Sequence, residues 1–254
     1  MKMFASERRD KILQLLQDKG RVTVKELASH LDVSEATLRT DLTKMELAGL
    51  LKRTHGGAVL SDGTENDRSF SVREKKNIQE KMKIAEKAFE LIEDQQCILL
   101  DASSTALALA RKINESSMRL TVVTSGIQSA LELKDNPAIT VILVGGVVTN
   151  GSTSIEGKLG VSILDHVNID IMFTSASGYT VENGLTDFNL YEVELKREMV
   201  KRSKKVVAII DYSKIGKTSS SVFATTDEID VLISEEQISA TMLESLQDNN
   251  ITVM

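Results

Sequence analysis

"VSEATLRTDLTKMELAGLL", Val33 to Leu51, is the stretch that decides how the first part of the chain folds. It opens on Ser34, a residue type that caps helices, and then places Leu38, Leu42 and Met45 at i, i+4 and i+7, the spacing of a single buried stripe. At about 100° per residue the opposite face carries Ala36, Thr40 and Thr43, flanked by Glu35, Thr37 and Arg39. The outward side chains are therefore small or hydrogen-bonding, with one planar cation among them.

Upstream, Thr23 caps a second helix, with Glu26 three places on completing a capping box and Leu27, Ala28 and Leu31 as the inward stripe. Only "DVS", residues 32–34, separates the two helices. A turn that short fits helices crossing steeply, the helix-turn-helix arrangement. A first helix runs from Glu7 to Lys19 through Ile12, Leu15 and Leu16 and stops at Gly20. Downstream, "LLKRTHGGAVL" holds two short apolar stretches around a Gly-Gly turn, with Lys52, Arg53 and His55 beside it, which predicts a small hairpin, or wing. From Ser61 the composition turns polar and no apolar period survives. The expected organisation is a winged helix-turn-helix domain over 1–60, a linker over 61–76 and a second domain over 77–254.

The second domain changes rhythm. Apolar strands, "CILLD", "LTVVTSG", "TVILVGG", "IDIMFTSASG" and "KVVAIIDYS", alternate with helical segments such as "TALALARKI", "IQSALELKD" and "YEVELKREMVKRS". That alternation predicts an α/β body in which a parallel sheet is covered by helices on both faces.

Charge separates the two parts. Residues 1–60 hold 11 Lys and Arg against 8 Asp and Glu, whereas the remaining 194 hold 20 against 29, for a formal net charge of −6. A mildly basic head on an acidic body points to a polyanionic partner for the head. The chain has no apolar run of about 18 residues and no charged, apolar and small-residue leader, so a cytoplasmic protein without membrane contact is expected. One cysteine, Cys97, excludes an internal disulfide, and with only three scattered histidines no metal site or cofactor is expected.

A helix-turn-helix presents its second helix to the major groove of DNA. Arg39 can pair with guanine or grip a phosphate. Thr37, Thr40 and Thr43 can bond either, and Ala36 and the threonine methyls can meet thymine methyls. Ser34 and the helix N-terminus suit phosphate oxygens, and Glu35 in the first turn counts among the candidate DNA-contacting residues. Lys52, Arg53 and His55 on the wing can follow the backbone. A single such module covers only roughly 600–1,000 Å² on DNA, so a homo-oligomer, dimer or tetramer, reading repeated half-sites in double-stranded operator DNA is expected.

In an open parallel sheet, ligands gather outside the carboxyl ends of the strands. Five such ends carry small or polar residues: 101–105, 124–126, 145–146, 175–178 and 211–214. Ser103, Ser104 and Thr105 just before a helix suit an anion such as phosphate, or serve as an ordinary cap. Gly145, Gly146 and Gly178 permit close backbone approach, or simply turn the chain. Lys214 can neutralise a phosphate, and Asp101, Asp187 and Asp211 can accept sugar hydroxyls or act as caps. A rival reading makes the body an isomerase-like enzyme, with a carboxylate base and Lys214 as electrophile. That reading leaves the head without a role and finds no Walker loop, classical nucleophile or metal motif in the sequence.

"VSEATLRTDL" followed by "LKRTHGGA", together with Arg9 to Leu16 and the α/β body, resembles the DeoR/GlpR family of bacterial transcriptional regulators over almost the whole chain. Thr40 stands where that family usually has a second arginine, which removes one cation from the recognition face, and Ser103 replaces a common glycine. The resemblance implies a body related in fold to sugar-phosphate isomerases that binds a phosphorylated sugar, with DNA released in response. It also implies effector contacts at Asp101 and Ser103 to Thr105, Thr124 and Ser125, Gly145 and Gly146, and Gly178. The same holds for the Glu192 and Lys196 pair on one helix, for Asp211 and Lys214, and for Lys81 at the start of the body.

Overall fold

The computed structural model describes residues 5–47, 50–59, 70–149, 152–236 and 238–254. The chain divides into two compact units, Met1–Lys76 and Asn77–Met254.

The first unit packs three helices, α1 (Ala5–Lys19), α2 (Val24–Leu31) and α3 (Glu35–Leu47), against a three-stranded sheet of β1 (Arg21–Thr23), β2 (Lys52–Thr54) and β3 (Gly57–Val59) in the order β1-β3-β2. The capping box forms: the Glu26 N–H donates to Thr23 Oγ1, and the Thr23 N–H donates to the Glu26 carboxylate. Asp32 closes α2 in the left-handed conformation at φ 51°, which turns the chain within three residues into α3. Ile12, Leu16, Leu27, Leu31, Leu38, Leu42 and Met45 form the common core.

Strand β1 has no sequence signal beyond one buried valine, Val22, between two exposed residues. The wing supplies its pairing partner, since Val22 stands opposite Ala58 and Thr23 opposite Gly57. A β-carbon on Gly57 would sit 2.0 Å from the Val22 carbonyl oxygen, so glycine is what lets the two strands close.

The expected linker, 61–76, holds a difference. Residues 61–69 lie outside the described ones, but Phe70–Lys75 forms a short helix, α4, with Phe70 buried and Val72 packed against the core of the first unit. Phe70 and Val72 sit too close together to give a helical stripe, so the polar composition hid them.

The second unit is built on seven parallel strands: β4 (Cys97–Leu100), β5 (Leu120–Thr124), β6 (Ile139–Leu143), β7 (Ile171–Thr174), β10 (Val206–Ile209), β12 (Val231–Ile233) and β13 (Thr252–Val253), in the order β13-β12-β10-β7-β4-β5-β6. Residues alternate between faces, as the pleat requires. Ile98, Leu100, Val122, Ile171, Phe173, Val207 and Ile209 pack with α5 (Ile78–Phe89), α6 (Ser104–Asn114) and α7 (Ile127–Leu133). Leu99, Val123, Met172, Ala208 and Leu232 pack on the other side with α8 (Leu190–Lys201), α9 (Ala240–Asp248) and a small antiparallel sheet. That sheet, β8 (Gly178–Thr180), β9 (Gly184–Asp187) and β11 (Ser221–Ala224), was not expected, nor were β12 and β13, because these stretches lack the long apolar runs that announce the other strands. Among the described residues no helix is long and apolar enough to cross a membrane.

Candidate functional site

On the first unit the recognition face is α3. Ala36, Arg39 and Thr40 are exposed, as are Lys52, Arg53 and His55 on the wing. Ser34 caps the helix, its Oγ accepting from the Thr37 N–H at 3.3 Å and bonding the Thr37 hydroxyl at 2.9 Å. Two expectations change. The Thr40 hydroxyl donates to the Ala36 carbonyl and that of Thr43 donates to the Arg39 carbonyl, so both bend back onto their own helix. Thr43 Oγ1 also accepts from Arg53 Nη1 at 2.8 Å, while the Arg53 N–H donates to Glu46 Oε1, so Thr43 joins helix to wing. The Glu35 carboxylate holds Arg39 Nη2 at 3.0 Å one turn along.

Sequence reading missed what anchors this helix. Asp41, buried between Leu38 and Leu42, takes Arg8 Nε at 2.6 Å and Arg9 Nε at 3.2 Å, tying α1 to α3. Its position one residue off the apolar stripe was the available signal.

On the second unit, the five strand ends belong to β10, β7, β4, β5 and β6, five consecutive parallel strands, so residues 211–214, 175–178, 101–105, 124–126 and 145–146 follow one another along a single rim. The strand order reverses at β4, whose neighbours β5 and β7 lead in opposite directions. A crevice opens outside the carboxyl ends at such a point.

Lys196 lies at that point. Its ammonium, buried, stands 3.1 Å from Asp101 Oδ2 and 2.9 Å from Asp187 Oδ2, donates to the Ser175 carbonyl at 2.8 Å and rests over the Phe223 ring. Asp101 is saturated in addition by the Ser103 N–H on Oδ1 and by the Thr174 hydroxyl and Ser175 N–H on Oδ2. Burial alone would raise the Asp101 carboxyl, but the Lys196 ammonium and these donors outweigh it and hold it below the usual carboxylate range. Burial pulls Lys196 down, and Asp101, Asp187 and Glu192 overcome that to raise it above an ordinary lysine. Asp187 Oδ1 takes the Ser177 hydroxyl and the Phe188 N–H. Asp101 and Asp187, nominated as acceptors for hydroxyls, are thus engaged internally and brace the loop ends. Ser175, not nominated, is the hub, since its N–H, carbonyl and hydroxyl each hold a different neighbour.

Lys214 Nζ lies 3.3 Å from Ser175 Oγ and 3.4 Å from Asp211 Oδ2, with about a quarter of its side chain exposed. Asp211 Oδ1 accepts from Asn77 and from Ser213. Burial raises the Asp211 carboxyl, yet Lys214, Ser213 and buried Lys81 together hold it low, which places the Lys81 charge in the same field. Ser103, Ser104 and Thr105 are buried at the start of α6; Ser103 Oγ caps the helix through the Ala106 N–H, and Thr105 Oγ1 has no hydrogen-bond partner among the described residues. Thr124 Oγ1 accepts from the Gly126 N–H, and Ser125 is buried with its carbonyl on the Ile155 N–H. Half-buried Glu192 accepts from Asn189, the cap of α8.

The three glycines serve the chain itself. A β-carbon on Gly146 would meet Glu156 O at 2.6 Å and one on Gly178 would meet Lys217 O at 2.4 Å. Gly145 forms the wall against which Gly160 lies, where a β-carbon would stand 2.1 Å from the Gly145 oxygen. Backbone thus lies close against Gly146 and Gly178, whereas a β-carbon on Gly145 itself would meet only Gly160 Cα at 3.7 Å. Among the described residues no group of three His, Cys, Asp or Glu side chains is placed to hold a metal ion.

Two family descriptions match the two units. The DeoR-like helix-turn-helix domain covers residues 8–64 and the DeoR C terminal sensor domain covers residues 76–236. The chain is 47% identical over 251 residues to the HTH-type transcriptional regulator GolR of Listeria innocua, spanning 99% of this chain and 98% of GolR. It is 32% identical over 252 residues to the HTH-type transcriptional repressor GlcR of Bacillus subtilis, spanning 99% and 96%. Among solved structures, the ribose 5-phosphate isomerase A of Methanocaldococcus jannaschii overlaps 55% of each chain at a TM-score of 0.42 and 18% identity.

Proposed function

Since the chain belongs to the DeoR family of helix-turn-helix transcriptional regulators, we propose that it represses a sugar catabolic operon and that a phosphorylated sugar releases it from its operator. The observation that carries this reading is the union, in one chain, of a recognition helix with Arg39 exposed and a sheet whose five consecutive strand ends share a rim with Lys214. Residues 1–60 contact DNA and residues 77–254 take the effector and assemble a homo-oligomer in the cytoplasm, where the operator is. The repressive sign agrees with the name of GlcR.

The phosphate is received by the loop of Ser103, Ser104 and Thr105 at the start of α6, where amide dipoles and the unpartnered Thr105 hydroxyl favour an anion. Lys81 and Lys214, both felt by Asp211, supply positive charge, and Thr124, Ser125 and Glu192 lie along the rest of the rim. Ligand binds one arrangement of the oligomer better than the other, and the favoured arrangement spaces the heads wrongly for paired half-sites. A tenfold loss of operator affinity requires about 1.4 kcal/mol of coupling, within reach of one charge-assisted phosphate contact.

A mobility-shift titration of the protein on its own upstream DNA, with a panel of sugar phosphates, tests this. Release by at least one sugar phosphate, and a need for more of it in Lys214→Ala, supports the reading. DNA affinity indifferent to every compound, or catalytic turnover of one of them, rules it out.

A further inference from the structure

Five acidic side chains are buried among the described residues: Asp41, Asp101, Glu156, Asp187 and Asp211. Four of them face a cation within 4.0 Å, namely Arg8 and Arg9, Lys196, Lys196 again, and Lys214. Glu156, 4% exposed, faces none among the described residues. Burying a carboxylate without a counter-ion is costly unless hydrogen bonds replace the lost water. The bonds here are one-sided: Oε1 accepts from Thr149 at 3.3 Å, from Ser152 at 3.2 Å and from Asn189 at 3.1 Å, while Oε2 accepts none among the described residues.

Glu156 also stands on the rim. Its backbone pairs with Val147 beyond the end of β6, and its chain neighbours run across the end of β5, where the Ile155 N–H meets the Ser125 carbonyl and Ser154 bridges Gly126. Gly126 in turn presses on the 101–105 loop, since a β-carbon there would come 3.2 Å from Ala102 Cα. Asn189 links Glu156 to Glu192 at the start of α8. Near by, Thr153 Oγ1 is buried without a partner among the described residues.

Asp101 and Asp187, expected to meet sugar hydroxyls, are engaged by Lys196 and by backbone and hydroxyl donors, and Asp211 pairs with Lys214, which favours an acceptor whose second oxygen faces no cation. We infer that Glu156 is the specificity-determining acceptor for the hydroxyl-bearing end of the effector, and that its charge selects sugar monophosphates over bisphosphates. The inference rests on the phosphate reading of the 101–105 loop given above. Two adjacent hydroxyls donate well to a carboxylate, whereas a second phosphate at that end meets a like charge.

The test is calorimetric binding to the full-length protein and to Glu156→Gln. The probes are inorganic phosphate, a panel of pentose and hexose monophosphates including fructose 6-phosphate, and fructose 1,6-bisphosphate. Expected is about a tenfold weaker fit of the tightest monophosphate in the variant, inorganic phosphate unchanged, and a bisphosphate-to-monophosphate affinity ratio that rises. Misfolding cannot raise that ratio. Equal effects on all probes, or none, overturn the inference and leave the phosphate reading standing. A wild-type protein that binds no probe overturns both.

Discussion

Lys196, carried by α8, and Asp101, at the end of the central strand, meet as a buried ion pair 3.1 Å apart where the strand order of the sheet reverses. Removing one partner of such a pair leaves an uncompensated charge. Here it would leave two, since Asp187 shares the same ammonium. Lys196→Met is therefore expected to destabilise the second unit by about 3–5 kcal/mol, measured by urea denaturation followed by circular dichroism. The sign with pH is fixed by the direction of each shift. The Asp101 carboxyl is held below its unfolded value of roughly 3.9, so its pairing stabilises above that pH and is lost as pH falls through the folded value. Lys196 is raised, so its contribution is complete below its unfolded value of roughly 10.4 and fades only as pH rises through the folded one. Without the ammonium, burial raises the Asp101 carboxyl of the folded variant, so the cost of Lys196→Met should already shrink as pH falls toward the unfolded value of roughly 3.9, where the variant's aspartates protonate and no longer need a cation. A cost independent of pH down to acid unfolding would show that packing against Phe223, and not charge, is what Lys196 contributes.

Gly57 and Val22 give a second expectation. A β-carbon at Gly57 would overlap the Val22 carbonyl, whereas one at Gly56 meets nothing within 4 Å. Gly57→Ala must part the wing from β1 and is expected to cost about 1–3 kcal/mol in the first unit, with weaker DNA binding. Gly56→Ala should behave as wild type in both thermal unfolding and DNA binding. Equal behaviour of the two variants would mean that the strand pairing between Thr23 and Gly57 is dispensable.

The helix-turn-helix was legible because its determinants are local: a capping box, a three-residue turn and a stripe at i, i+4 and i+7. The five long strands were legible from apolar runs, and their carboxyl ends could be aligned because parallel connections leave them on one rim. Strands such as β12 and β13 were not legible, because no long apolar run announces them and their pairing is set by neighbours distant in sequence. The same limit governed the site. Asp101, Lys196 and Lys214 could be nominated by residue type, but whether a carboxylate is free or saturated depends on partners such as Thr174 and Ser175, 73 and 74 residues from Asp101. Glu156 escaped notice for that reason: nothing near it in the chain distinguishes a solvated glutamate from a buried one without a cation.

Arg39 is expected to carry the sequence discrimination of the recognition helix. Thr40 and Thr43 use their hydroxyl protons on the Ala36 and Arg39 carbonyls, and Thr43 spends its acceptor on Arg53, which leaves the Arg39 guanidinium as the strong donor on this face. Its exposed pair with Glu35 is worth only about 0.3–0.5 kcal/mol and yields readily to guanine, whose two acceptors match the fork of a guanidinium. Arg39→Ala is expected to lose about 1–3 kcal/mol of operator affinity, with a much smaller loss on scrambled DNA of equal length. Glu35→Ala removes a carboxylate from the DNA-facing turn and should tighten both sequences alike, most visibly at low salt. Anisotropy titrations on the two duplexes at several salt concentrations separate the outcomes. An equal loss on operator and scrambled DNA in Arg39→Ala, with a salt slope reduced by about one, would make Arg39 a phosphate clamp and move the reading of bases to the wing.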